Sequence, residues 1–117
     1  MAVILQVALD FVDLDRAIKV ARESIAGGVD WLEIGTPLIK SEGMNAIRHF
    51  RGLFPDKTLI ADMKTMDAGR AEMEMAAKAG ADVAVVMADA PDSTIQECIE
   101  AGKNYGIKVC VDYLHDD

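Results

Sequence analysis

Short apolar runs alternate with helically spaced segments along the whole chain. Residues 3–9 ("VILQVAL"), 30–35 ("DWLEIG"), 58–63 ("TLIADM"), 82–87 ("DVAVVM") and 108–114 ("KVCVDYL") read as five strands. Several are almost continuously apolar, the pattern of parallel strands covered on both faces. Four helical segments lie between them. Leu14, Ala17, Ile18, Ala21 and Ile25 form an apolar stripe behind Asp13, which is placed to cap the first helix. Ser41 is expected to cap the second, Asp67 the third, and Asp92 or Ser93 the fourth. The helix-to-strand junctions repeat as "GGVDWLEI", "AGADVAVV" and "YGIKVCVD", with glycines suited to left-handed C′ positions.

The repeat of roughly 25 residues makes the chain (βα)₄β, with right-handed crossovers expected. Two architectures accept this pattern: a flavodoxin-like five-stranded open sheet, or the N-terminal half of a (βα)₈ barrel. A complete barrel needs about 250 residues, so the length of 117 residues favours the open sheet. The placement of charge favours the half barrel. No linker or low-complexity tract divides residues 1–117, which read as a single partial (βα) barrel domain.

Composition narrows the possible functions. With 51% apolar and 27% charged residues the chain has a globular mix. Its net charge of −8 argues against nucleic acid, because phosphate backbones need a basic surface. No apolar run reaches the ~20 residues of a membrane span, and "MAVILQVALD" has neither a basic n-region nor a cleavage site. Cys98 and Cys110 form no CxxC pattern and read as reduced thiols in apolar surroundings, so a soluble cytoplasmic protein is expected.

Four predicted strands end in a carboxylate: Asp10, Glu33, Asp62 and Asp112. Both architectures place active sites at the C-terminal edge of their strands. Asp62 and Lys64 are two residues apart and would share one side of an extended strand. A self-satisfying ion pair and a rigid ammonium that stabilises a developing anion have the same spacing. Asp67 suits a helix cap, a role compatible with catalysis. Glu33 and Asp62 offer hard oxygen ligands of the kind Mg²⁺ takes, one or two carboxylates beside water and substrate oxygens.

Other chemistries find less support. No His/Cys cluster suits zinc, and His49 and His115 have no evident partners. The methionines at 63, 66, 73, 75 and 87 read as core filler and helix face. Neither GxGxxG nor GxxxxGK(S/T) occurs. A phospho-acceptor receiver domain would need adjacent acids after the first strand and a lysine ending the fifth. Here Phe11 and Val12 follow Asp10, and Lys108 begins its strand.

"LQVALD", "EIGTPLIKSEGMNAIR", "ADMKTMDAG" and "VDYLHDD" resemble the orotidine-phosphate-decarboxylase suprafamily, whose signature DxKxxD falls on Asp62, Lys64 and Asp67. Within it they are most similar to the 3-hexulose-6-phosphate synthases, with the 3-keto-L-gulonate-6-phosphate decarboxylases as close relatives. Pro37, Met66 and the terminal Asp116-Asp117 lean toward the synthases. The resemblance implies a dimeric (βα)₈ barrel and a Mg²⁺-stabilised enediolate. It implies that Glu33 and Asp62 hold the metal, Asp10 binds substrate hydroxyls, and Lys64 stabilises the enediolate. Asp67 would reach into the neighbouring subunit's site, and Asp112 stands in the place of the acid ending the fifth strand, a substrate-binding position. The implied reaction is the reversible aldol condensation of formaldehyde with D-ribulose 5-phosphate. Family members run to roughly twice this length. Their later strands, proton-transferring histidine region and phosphate-gripping loops fall outside these residues, which implies open sheet edges and leaves two readings: part of a synthase site completed by further chain or by a partner copy, or a half-barrel structural module without turnover.

Overall fold

The structure, a computed structural model, describes residues 2–114. In chain order it comprises β1 (Gln6–Leu9), α1 (Leu14–Ala26), β2 (Trp31–Ile34), α2 (Thr36–Glu42), α3 (Met44–Leu53), β3 (Thr58–Thr65), α4 (Gly69–Ala79), β4 (Val83–Met87), α5 (Asp92–Tyr105) and β5 (Lys108–Asp112). All five strands are parallel, in the order β1-β2-β3-β4-β5. A flavodoxin-like sheet would instead reverse direction at a switch point and place a later strand beside the first. The sequential order excludes that alternative and is the order of half a (βα)₈ barrel.

The helices cover one face of the sheet, not both. Leu9, Leu32, Ile34, Leu59, Ala61, Ala84 and Val86 point into a core shared with Ala17, Ala21, Ile47, Phe50, Met73 and Cys98 of the helices. Each fully buried Leu, Ile or Phe contributes about 1.5–3 kcal/mol through apolar area removed from water. The alternate residues Trp31, Glu33, Asp62, Lys108 and Cys110 line the opposite face, an open basin. The apolar runs reflect strands flanked by neighbours, and only one of their two faces is sealed. Cys110 is exposed on that open side; Cys98 alone is buried.

Local capping follows the sequence in part. Asp13 caps α1, accepting from the Arg16 amide at 3.3 Å. Gly80 and Gly106 take the left-handed C-cap conformation expected of the repeated junctions. The second helical segment begins earlier than expected and is broken in two. Ser41 is not a cap: it lies within α2 and donates its hydroxyl to the Val12 carbonyl at 2.8 Å. The break is at Gly43, whose φ of 68° and ψ of −160° belong to a region open essentially to glycine alone. Neither Asp92 nor Ser93 caps α5, which starts at Asp92 behind Pro91. Strand β1 is shorter than the apolar run, leaving Val3, Ile4 and Leu5 exposed.

Candidate active site

The C-terminal half of β3 departs from regular geometry. Ala61 pairs with Ala84, but the next pairing is Thr65 with Val86, so the ladder slips between them. Lys64 sits inside this bulge with a φ of 45°, in the left-handed region that disfavours any residue with a Cβ. Extended alternation therefore does not bring Asp62 and Lys64 together. The bulge re-aims the lysine, a common use of bulges beside active sites, and the two side chains still meet.

Lys64 Nζ lies 3.0 Å from Asp62 Oδ2 and 2.7 Å from Asp112 Oδ2. One ammonium thus links two non-adjacent strands, β3 and β5. Asp62 is buried at 7% exposure, where an unpaired carboxylate would be costly. The lysine's pKa is raised above its ordinary value, first by the Asp112 hydrogen bond and further by Asp62, against the opposing effect of burial. It is an ammonium at neutral pH.

Glu33, half-buried on β2, accepts a hydrogen bond from Gln6 Nε2 at 2.8 Å. Burial pushes its carboxyl above the ordinary value of 4.5; the Gln6 contact opposes this, and the negative charges of Asp62 and Asp10 add to it. Asp10, just beyond β1, packs against Gly35, where any Cβ would collide with its carboxylate. Glu33, Asp62, Lys64 and Asp112, from the C-terminal halves of their strands, thus line an open basin of about 530 Å³, and Asp10 stands outside its lining but near enough to Glu33 to add to the negative charge there.

Asp67 is not part of this cluster. It lies exposed on the β3–α4 loop, and its Oδ1 accepts from the Ala68 amide at 2.8 Å. It is not the helix cap either: the N-cap position of α4 is Ala68, in left-handed conformation and without a side-chain cap. Asp67 instead lines a second groove with Met44, Met63, Met66 and Met75, and Lys64 borders both. Met66, 47% exposed on the β3–α4 loop, is neither core nor helix face; Met75, equally exposed, lies on the face of α4, and Met73 and Met87 are buried. His49 is exposed on α3. His115, Asp116 and Asp117 lie outside the described residues.

Three supporting contacts were not evident from the sequence. Gln6 orients Glu33, Thr36 Oγ1 donates to the Asp62 carbonyl at 2.7 Å, and Thr65 Oγ1 donates to Glu72 Oε1 at 2.7 Å. The only sequence signal was their nearness to the motifs. Among the described residues no group of three or more His, Cys, Asp or Glu forms a self-sufficient metal cage, and no helix is long and apolar enough to cross a membrane.

Comparison with known proteins accords with this geometry. The profile of the "Orotidine 5'-phosphate decarboxylase / HUMPS family" matches residues 4–115. The chain is 44% identical over 110 residues to the 3-hexulose-6-phosphate synthase of Mycobacterium gastri, covering 94% of this chain and 53% of that protein. The crystal structure of 3-hexulose-6-phosphate synthase from Salmonella typhimurium matches with a TM-score of 0.90 and 40% identity, over 98% of this chain and 55% of that one. A 3-keto-L-gulonate-6-phosphate decarboxylase from Vibrio cholerae matches with a TM-score of 0.88 and 37% identity, over 92% and 50% respectively. The chain spans about half the length of the relatives it matches. With its parallel half barrel and a profile match along nearly all its length, the chain belongs to the orotidine 5'-phosphate decarboxylase / HUMPS family.

Proposed function

We propose that these residues form the N-terminal part of the active site of a lyase that condenses formaldehyde with D-ribulose 5-phosphate. The observation that carries this reading is the Lys64 ammonium, held by Asp62 and Asp112 at the C-terminal edge of the sheet on a strained backbone. Because it stays protonated, Lys64 is not the base. It is a fixed positive charge beside which an anion can form when the ketose loses a proton, and fixed charges of this kind need no reorganisation as the reaction proceeds. Asp10, beside Gly35 and close to Glu33, would accept from substrate hydroxyls. Asp112 would both orient Lys64 and face the substrate.

The donor set fits Mg²⁺. Glu33 and Asp62 are hard carboxylates close enough for their negative charges to raise the Glu33 pKa, a repulsion that a divalent cation relieves. Two carboxylates with water and substrate oxygens make an ordinary Mg²⁺ environment. When bound, Mg²⁺ would polarise the ketose carbonyl.

We extend the reading to a homodimer in which Asp67 serves the neighbouring copy's site. Its exposed side chain makes no contact with the acidic cluster and lies on a groove with the exposed Met66 and Met75, which supports this. Met-rich surfaces are adaptable contact surfaces. Sedimentation should give twice the chain mass, and a monomer at assay concentration would contradict it.

The catalytic reading is tested by formaldehyde consumption with D-ribulose 5-phosphate. Turnover is expected with Mg²⁺ and is expected to cease on chelation; no turnover by the folded protein, or turnover untouched by chelation, overturns it. The structural likeness to the Vibrio cholerae decarboxylase favours a second reading, carbon dioxide release from 3-keto-L-gulonate 6-phosphate. The same preparation assayed with that substrate separates the two.

A further inference from the structure

The strain at Lys64 needs something to hold it, and the structure contains two restraints, one on each side. Between Ala61 and Thr65 strand β3 advances four residues while β4 advances only from Ala84 to Val86. The surplus chain is taken up by Asp62, Met63 and Lys64, with the lysine forced to a φ of 45°. A Cβ-bearing residue persists there only where its surroundings over-determine it. Upstream, the Thr36 hydroxyl ties the Asp62 carbonyl to the start of α2. Downstream, Thr65, 1% exposed, ties the end of β3 to Glu72 in the first turn of α4.

The downstream restraint has a rigid anchor. Gly69 opens α4 so close to α5 that an added Cβ would stand 2.6 Å from the Thr94 carbonyl oxygen and 2.8 Å from Cys98 Sγ. The N-terminus of α4 is therefore seated on α5. Glu72 projects from that seated turn to the one residue that re-enters the β3–β4 ladder after the bulge. Neither Thr65 nor Glu72 belongs to the residues proposed to touch metal or substrate.

We infer that Thr65 and Glu72 are positioning residues, whose hydrogen bond locks the end of the bulge and keeps the Lys64 ammonium between Asp62 and Asp112. A Thr65 side chain without a hydroxyl would leave the Glu72 carboxylate free to turn to solvent and the strained segment free to relax. Lys64 would then swing out of its two-carboxylate contact. This inference rests on the catalytic reading for its importance, but its test requires no turnover.

The test is proton–nitrogen NMR of the lysine ammonium groups in the substrate-free protein. The wild type should show an exchange-protected Lys64 signal, assigned by its absence in Lys64→Ala. Thr65→Val and Glu72→Ala should each move that signal to the position of the surface lysines, while the amide spectrum stays folded. Thr65→Ser, which keeps the hydroxyl, should restore it. An unchanged Lys64 signal in folded Thr65→Val or Glu72→Ala overturns the inference, as does a serine variant that behaves like valine or a wild type without a protected signal. If Thr65→Val does not fold, the partly exposed Glu72→Ala decides. In kinetic terms, kcat should fall by about 10²-fold, the scale of a small misplacement of a reacting group, with KM for the ketose phosphate unchanged. Absence of turnover in the wild type would overturn the catalytic reading alone and leave the NMR result to judge this one.

Discussion

The two ends of the sheet use the same residue types in opposite ways. At the N-terminal ends of the strands, Arg51 donates to the carbonyls of Gly80, Phe54, Pro55 and Lys57 and pairs with Asp82. Asp82 in turn accepts from the Leu59 amide at 2.8 Å. A cation and an acid there bind backbone groups around the α3–β3 and α4–β4 connections, and Arg51 itself lies in regular helix. At the C-terminal ends, Lys64 holds side-chain carboxylates rather than carbonyls, occupies a strained conformation and borders open space. Barrel folds divide their labour in this way, with stability at the bottom face and chemistry at the top. A charge that satisfies the backbone is architecture; a charge held by other charges beside a basin is available for chemistry.

Substitutions at the two ends should therefore fail differently. The largest effect is expected for Lys64→Ala: turnover falls by about 10²–10³-fold, the loss that follows removal of one transition-state donor, while the circular dichroism spectrum remains that of a folded protein. Loss of folding would make Lys64 an architectural residue like Arg51. Arg51→Ala should show the reverse, losing about 2 kcal/mol in urea denaturation with turnover per folded molecule unchanged.

The strands and the acids of the C-terminal side were legible in the sequence, the Arg51–Asp82 pairing was not, and what was missed has identifiable causes. The five strands appeared because parallel strands concentrate apolar residues, and Asp10, Glu33, Asp62 and Asp112 stood out as the polar ends of those runs. An apolar run does not say which of its faces is sealed, so Ile60 and Val85 on the open side read like Leu59 and Val86 in the core. Alternation assumes an extended chain, and nothing in "ADMKT" announces a bulge or a lysine at positive φ. Ser41 and Asp67 have the chemistry of caps but not the position, because Gly43 and the left-handed Ala68 set the helix starts instead. The bonds from Gln6, Thr36 and Thr65 depend on tertiary neighbours 27, 26 and 7 residues away. Local patterns carry no trace of them.

The smallest effect should come from an ion cluster at neither end of the sheet. Glu74 on α4 pairs with Lys78 and Arg70, each at 2.6 Å, and accepts from Tyr105 at 2.9 Å. Lys78 foremost, then Tyr105, lowers its carboxyl from the ordinary 4.5 to about 2. A depressed carboxyl stabilises the folded state above its unfolded pKa, and that contribution fades as pH falls from about 4.5 toward about 2. These groups face solvent, so the contribution is small and screened by salt. Glu74→Gln should shift the calorimetric midpoint slightly near neutral pH and progressively less as pH falls from about 4.5 toward about 2. A large shift at neutral pH would place this cluster with Arg51 as architecture.

Lys64→Arg tests the division between the two ends most directly. Arginine keeps the positive charge and can still pair with Asp62 and Asp112, but it presents a planar fork rather than a compact ammonium. If Lys64 serves chemistry, the variant keeps the wild-type thermal midpoint and loses turnover by about 10²-fold, as a misplaced charge should. A variant that keeps both its midpoint and its turnover would show that any cation suffices there, and would reduce the site at the end of β3 to a structural ion pair.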